Sequence, residues 1–159
     1  GNKEVLYAMV LNQSFKEGFG AFHEVIGTTL PAEKKLEAYI RHIAIVLEQN
    51  PVIPKILMRE QLSQGRHLPD SFAKNIVQML DGLTGILNQG NREGVFYVVD
   101  TVTIHFMILG TMLFQMTSSP IRRKKKAFLN KYQPEPGRLP PSVIDQICRY
   151  ILRAVKKEK

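Results

Sequence analysis

The sequence predicts an all-α fold of six main helices, and three observations carry that expectation. Apolar residues recur at spacings of three and four through most of the chain, the signature of amphipathic helices. No stretch alternates apolar and polar residues between hairpin turns, as half-buried strands would require. The 159 residues are 44% hydrophobic and 23% charged, and a chain of this length can bury roughly 68–70% of its unfolded surface without staples. With Cys148 as its only cysteine, the chain can form no internal disulfide and no cysteine-based zinc framework.

The first helix is expected over residues 2–25, with Asn2 as N-cap and Phe15, Phe19, Phe22 and Ile26 down one face. Gly18 and Gly20 lie inside it, each costing roughly 0.5–1 kcal/mol relative to Ala, so a bend or a close packing contact is expected there. Gly27-Thr28-Thr29 ends it. Pro31 suits the start of a second helix, with Leu36, Ile40, Ile43 and Leu47 as its apolar stripe opposite Lys34, Glu37, Arg41 and Glu48. Asn50-Pro51 closes it, because the residue before proline is pushed out of the α region.

A third helix over about residues 52–63 tolerates Pro54 in its first turn, carries Ile53, Ile56, Leu57 and Leu62, and stops at Gln64-Gly65. A fourth begins near Asp70, capped by Asp70 or Ser71, with Phe72, Ile76, Met79, Leu80, Leu83 and Leu87 inward. Residues 88–94 are expected to form a polar turn. The fifth helix starts at an Asp100 cap and reaches about Met116, and its centre, residues 104–114, is apolar almost all the way round. A helix without a polar face is buried on more than one side, so one side is expected against the core and the other against a second subunit. Residues 118–141 hold Pro120, Pro134, Pro136, Pro140 and Pro141 and read as a basic, proline-rich connection within a single domain 1–159, with room for a short helix near residues 122–132. The last helix starts at Pro141 or Ser142, and Val143, Ile147, Tyr150, Ile151 and Ala154 or Val155 line one face.

Charge is distributed unevenly. Residues 1–117 carry 10 Lys/Arg against 11 Asp/Glu, a net of −1, whereas residues 118–159 carry 12 against 3, a net of +9. The run Arg122-Arg123-Lys124-Lys125-Lys126 is either a solvated segment or a patch for nucleic acid or an acidic partner. The longest apolar stretch spans 11 residues, against about 20 for a membrane helix, so no membrane association is expected. The N-terminus has neither an initiator Met nor a signal-peptide layout, so the expected location is cytoplasmic, with something removed ahead of Gly1. No phosphate loop, metal-binding His-Glu-x-x-His helix or nucleophile elbow occurs. His23, His42, His67 and His105 share no i, i+4 spacing, and Arg59-Glu60 reads as a local ion pair. Neither enzymatic activity nor a cofactor is expected.

Several phrases resemble the C-terminal region of TetR-family bacterial transcriptional regulators. Gly1-Asn2-Lys3-Glu4-Val5-Leu6 is similar to the start of that family's long connecting helix. Asn50-Pro51 followed by Ile56-Leu57-Met58-Arg59-Glu60 resembles its third regulatory helix. Gln89-Gly90-Asn91-Arg92-Glu93-Gly94-Val95-Phe96 followed by Asp100 resembles the loop into its penultimate helix. The likeness runs from Gly1 to about Gln115. It implies an antiparallel helical bundle that binds a largely apolar or aromatic effector, homodimerises, and meets operator DNA only through an N-terminal helix-turn-helix unit that this sequence lacks. A basic helical interaction module acting through residues 122–126 is the alternative reading.

The resemblance also directs the expected site. A cavity is expected among Phe19, Phe22, His23, Tyr39, His42, Ile43, Met58, Gln61, Leu62, Phe72, Ile76, Met79, His105, Ile108 and Met112, because these lie on helices that converge in the family and mix aromatics and Met with a few polar tips. The same aromatic and Met residues also suit a plain hydrophobic core. The dimer is expected through the fifth and last helices, with Phe106, Leu109, Gly110, Leu113, Ile147, Tyr150 and Ile151 as contributors.

Overall fold

The computed structural model describes Met9, Gln13 and residues 22–133 and 139–158. The expected Asn2 cap, the glycines at 18 and 20, and Phe15 and Phe19 lie outside the described residues. Helix α1 is described over residues 22–26 and ends at Gly27. It is followed by α2 (Ala32–Gln49), α3 (Ile53–Leu62), α4 (Asp70–Arg92), α5 (Thr101–Lys124), the single turn α6 (Lys126–Leu129), a 3-10 turn at Asn130–Tyr132, and α7 (Pro141–Val155). Among the described residues there is no strand, only an isolated antiparallel bridge between Phe96 and Lys156.

Helix α2 lies between α4 and α7, and α5 packs against α2, α3, α4 and α7. Burial follows the expected stripe: Leu36, Ile40, Ile43 and Leu47 of α2 are all inside, together with Leu83 and Leu87 of α4 and Ile108 and Met112 of α5. Asp100 caps α5, its carboxylate accepting the Thr103 N–H at 2.6 Å.

Three boundaries and one side chain differ from expectation. Helix α4 starts on Asp70 itself with Pro69 as the N-cap, so the Asp70 carboxylate sits in the first turn, where the helix dipole favours a negative charge. The same helix continues to Arg92 rather than breaking at residue 88. Its polar residues there are the outer face of the helix, while Gly90 lies against the buried Phe96 ring. Helix α5 runs through Pro120 to Lys124, so the first part of the expected connection is helical and the basic run Arg122–Lys124 forms its last turn. Pro120 removes the helical bond to the Met116 carbonyl, but cations at a helix C-terminus are favourable, and Arg122 bonds back to the Gln115 side chain at 3.1 Å. Finally, Leu62 ends α3 at 88% exposure. The chain turns away after it, through Gln64 and Gly65 with positive φ, and carries it off the stripe.

Two sets of bonds hold the ends of the helices. The Lys35 ammonium, buried, donates to the Ile26 carbonyl at 2.8 Å, and Glu93 accepts the Ala32 N–H at 3.1 Å, so the α1–α2 loop is tied to both α2 and the end of α4. At the same end of α4, Tyr97 N–H donates to the Val155 carbonyl at 2.8 Å and Lys157 N–H to that of Val95 at 3.0 Å, fastening the α4–α5 loop to the end of α7.

Candidate functional site

Helices α3, α4 and α5 do not close on one another completely. Between them, and under the α3–α4 loop, lies a groove of about 520 Å³. Its walls are mostly apolar: Leu57 from α3, Leu68 from the loop, Phe72, Ala73, Ile76, Val77 and Leu80 from α4, and Val102, Phe106, Leu109 and Leu113 from α5. Glu60, Gln61, Gln64 and His105 supply the polar side chains. A concave apolar surface with a few polar groups is the usual form of a small-molecule site, and such sites run about 300–1,000 Å³.

The groove's polar groups are held from behind. His105 is 2% exposed, and its Nδ1 lies 2.8 Å from the Tyr39 hydroxyl. Burial lowers the His105 imidazole below its ordinary value and raises the Tyr39 hydroxyl, so both are neutral at pH 7. A neutral imidazole that accepts the Tyr39 O–H at Nδ1 carries its own proton on Nε2. Tyr39 in turn stacks edge-on against Phe22 of α1 with ring centroids 5.0 Å apart. A continuous contact chain therefore runs from the groove, through His105 and Tyr39, to the first helix.

Glu60 is equally buried, at 2% exposure. It does not form the local pair expected with Arg59. Instead its carboxylate accepts from Ser63 Oγ at 2.8 Å and from the His67 N–H at 3.1 Å, with the His67 ring at 3.4 Å. Burial pushes the Glu60 carboxyl up, but these bonds outweigh it and hold the group below the usual carboxylate range. Glu60 thereby ties the end of α3 to the loop that roofs the groove.

Of the residues expected at the cavity, Gln61, Phe72, Ile76 and His105 line the groove. Phe22, Tyr39, Ile43, Met79, Ile108 and Met112 are buried in the packed core, and Met58 is partly buried against it. His42 is half-buried and stacks on Phe22 at 6.0 Å. His23 and Leu62 are exposed, and Phe19 lies outside the described residues. The groove thus sits on the α3–α4–α5 side of His105, and no described residue of α1 or α2 lines it. Glu60, Leu57, Leu68 and Val102 were not anticipated, and the one sequence signal for them was the break at Gln64-Gly65, which frees the ends of α3 and α4 to splay.

The residues expected at a dimer interface divide as well. Phe106, Leu109 and Leu113 line the groove. Ile147 and Ile151 are buried within the chain, whereas Tyr150 is exposed. A Cβ placed on Gly110 would meet nothing within 4 Å. Beside it Met107, Phe114 and Ile121 are exposed, forming with Gly110 and Thr117 an open apolar stripe at spacings of three and four along α5. Phe114 is 65% exposed, unusual for a side chain that buries so much surface when covered.

Among the described residues no group of His, Cys, Asp or Glu could hold a metal ion, and no helix is long and apolar enough to cross a membrane. No curated protein and no solved structure matches the chain. The family model described as "Tetracyclin repressor-like, C-terminal domain" matches residues 31–124, more than half of the sequence. That span holds α2 to α5 and therefore the whole groove, the Tyr39–His105 pair and the open stripe of α5. By this match, and by the helical architecture that accompanies it, the chain belongs to the family of tetracycline-repressor-like C-terminal domains, which are parts of transcription regulators.

Proposed function

We propose that the chain is the effector-binding and homodimerisation domain of a cytoplasmic bacterial TetR-like repressor, and that it senses a largely apolar small molecule in the α3–α4–α5 groove. The observation that carries this reading is the groove itself, about 520 Å³ of mostly apolar wall with His105 at its inner side. The effector's polar end bonds to His105, and its apolar body lies against Phe72, Ile76 and Leu109. Movement of His105 passes to Tyr39 and then to Phe22, and so to the first helix, which leads to the DNA-reading part of the regulator. The two operator-reading units of such a dimer are spaced about one DNA turn apart, ~34–36 Å, so a modest change in the first helix alters the fit. The effector acts only to the extent that it prefers one arrangement over the other.

Native mass spectrometry of the purified chain and a thermal-shift screen of apolar compounds test the reading. A bound ligand at 100 times its dissociation constant adds about 2.7 kcal/mol of stability. Ile76→Trp, which fills the groove, should remove that gain while leaving the helical content intact. A compound that stabilises the wild type and the Trp variant equally would place the effector elsewhere.

A further inference from the structure

The apolar α3–α4–α5 groove has a carboxylate in its wall and no cation to match it: Glu60 lines it, and no Lys, Arg or Asp does. Resting on the reading of this groove as the effector site, we propose that the effector is a cationic amphiphile. It is a protonated amine on an apolar aromatic body, with its ammonium group placed at Glu60.

Glu60 is 2% exposed, and its two carboxylate oxygens are served unequally. Oε2 accepts both bonds, from Ser63 Oγ at 2.8 Å and from the His67 N–H at 3.1 Å. Oε1 accepts none and is closed off from water. Its contact with the His67 ring, Nδ1 at 3.4 Å, is a charged one only when that ring is protonated. A buried acceptor left unmatched is costly, and a buried charge more so unless it is paired.

The group is nevertheless ionised at pH 7. Burial raises its carboxyl, but the bonds from His67 and Ser63 outweigh this and hold it below the usual carboxylate range. A neutral N–H or O–H donor would satisfy Oε1 alone, whereas an ammonium group also offsets the charge, and charge-assisted bonds are the stronger kind. Gln61 and Gln64 line the groove at the same corner and are exposed, so their side chains can move as a guest enters. Phe72 and Phe106 supply aromatic walls, whose ring faces also favour a cation. His105, neutral with its proton on Nε2, offers a donor to an acceptor elsewhere on the same molecule.

Three compounds with one body and different charge form the test: 2-naphthylmethylamine, protonated at pH 7, 2-naphthalenemethanol and 2-naphthoate. Each is titrated into the whole chain and followed by amide proton–nitrogen correlation spectra. The amine should give saturable shifts at the amides of Gln61, Gln64 and Leu109 and bind about tenfold more tightly than the alcohol, as expected for one charge-assisted bond, and naphthoate should give none. Glu60→Gln keeps an acceptor for Ser63 and the His67 N–H, and in it the amine should bind no more tightly than the alcohol. The comparison of the three compounds needs only the wild type, so it stands even where that variant does not fold. Alcohol or naphthoate binding as tightly as the amine, or a preference for the amine that persists in folded Glu60→Gln, overturns the cationic class and leaves the groove as the effector site. Absence of saturable shifts with the amine overturns it too, and the thermal-shift screen of apolar compounds then decides the groove by itself. Amine binding undiminished in Ile76→Trp puts the ligand elsewhere and overturns both readings.

Discussion

Gly90 illustrates how a single residue serves the architecture. It lies in the last turns of α4, and a Cβ there would fall 2.0 Å from the Phe96 ring. Phe96 itself is fully buried and flanked by the backbone bonds that join the α4–α5 loop to α7. Gly90→Ala should therefore force the ring out of place, costing about 1–3 kcal/mol by overpacking, measured as a lower urea midpoint with an unchanged slope. His105 carries the second prediction at this scale. Its folded-state pKa lies below the ordinary value of 6.5 because burial penalises the imidazolium, so the unfolded chain binds the proton more readily. The His105 contribution is intact above pH 6.5 and declines as pH falls from there toward the folded-state value. The slope from one proton is at most about 1.4 kcal/mol per pH unit. Denaturation measured between pH 5 and 8 should show this decline, and His105→Gln should flatten it. An unchanged slope in the variant would assign the dependence to other groups.

Helix α5 divides into a buried face and an open one. Its inner face, Ile104, Ile108 and Met112, is buried in the chain, whereas Met107, Phe114 and Ile121 stand in solvent. The expected consequence is that α5 pairs with its copy through this stripe, with Gly110 allowing close approach, in an interface of roughly 2,000 Å² or more if it is obligate. Phe114→Glu should then yield a monomer that keeps its helicity, read by light scattering and circular dichroism. A charge at Leu113 or Ile147 should unfold the chain instead, since both are inside it. A wild-type monomer at micromolar concentration would remove the stripe from consideration as a dimer seam.

Across the molecule, α1, α2 and α4 are tied to one another, and on the proposed function these ties lie on the path from the groove to the first helix. Gly82 of α4 lets Phe22 and Ile26 approach so closely that a Cβ would lie 2.9 Å from each, and Lys35 holds the Ile26 carbonyl from the other side. Lys35→Met keeps the aliphatic stem and removes the charged bond. Amides of residues 22–26 should then exchange about tenfold faster, in line with the loss of a bond to a charged donor, while effector affinity in the groove is retained. Equal exchange rates in both proteins would mean that packing on Gly82 alone holds α1.

What could be seen from the order of residues was the local periodicity. The α2 stripe of Leu36, Ile40, Ile43 and Leu47 and the Asp100 cap both depend on neighbours within a few positions, and both are found where spacing put them. Helix α5 was different. With apolar residues on every side, its pattern does not define a rotation, so Leu113 and Phe114 look alike in sequence although one is buried and the other open. Nor could local rules carry α5 past Pro120, where the basic final turn and the Arg122–Gln115 bond sustain a helix that proline propensity would end. The groove is less legible still. It exists because α3, α4 and α5 diverge around the Glu60–Ser63–His67 corner, and its walls come from three helices whose relative placement no short window records. Helices are specified by contacts a turn apart; the groove, the buried Ile147 and Ile151, and the open face of α5 are set by which helices pack together, and that depends on the whole chain at once.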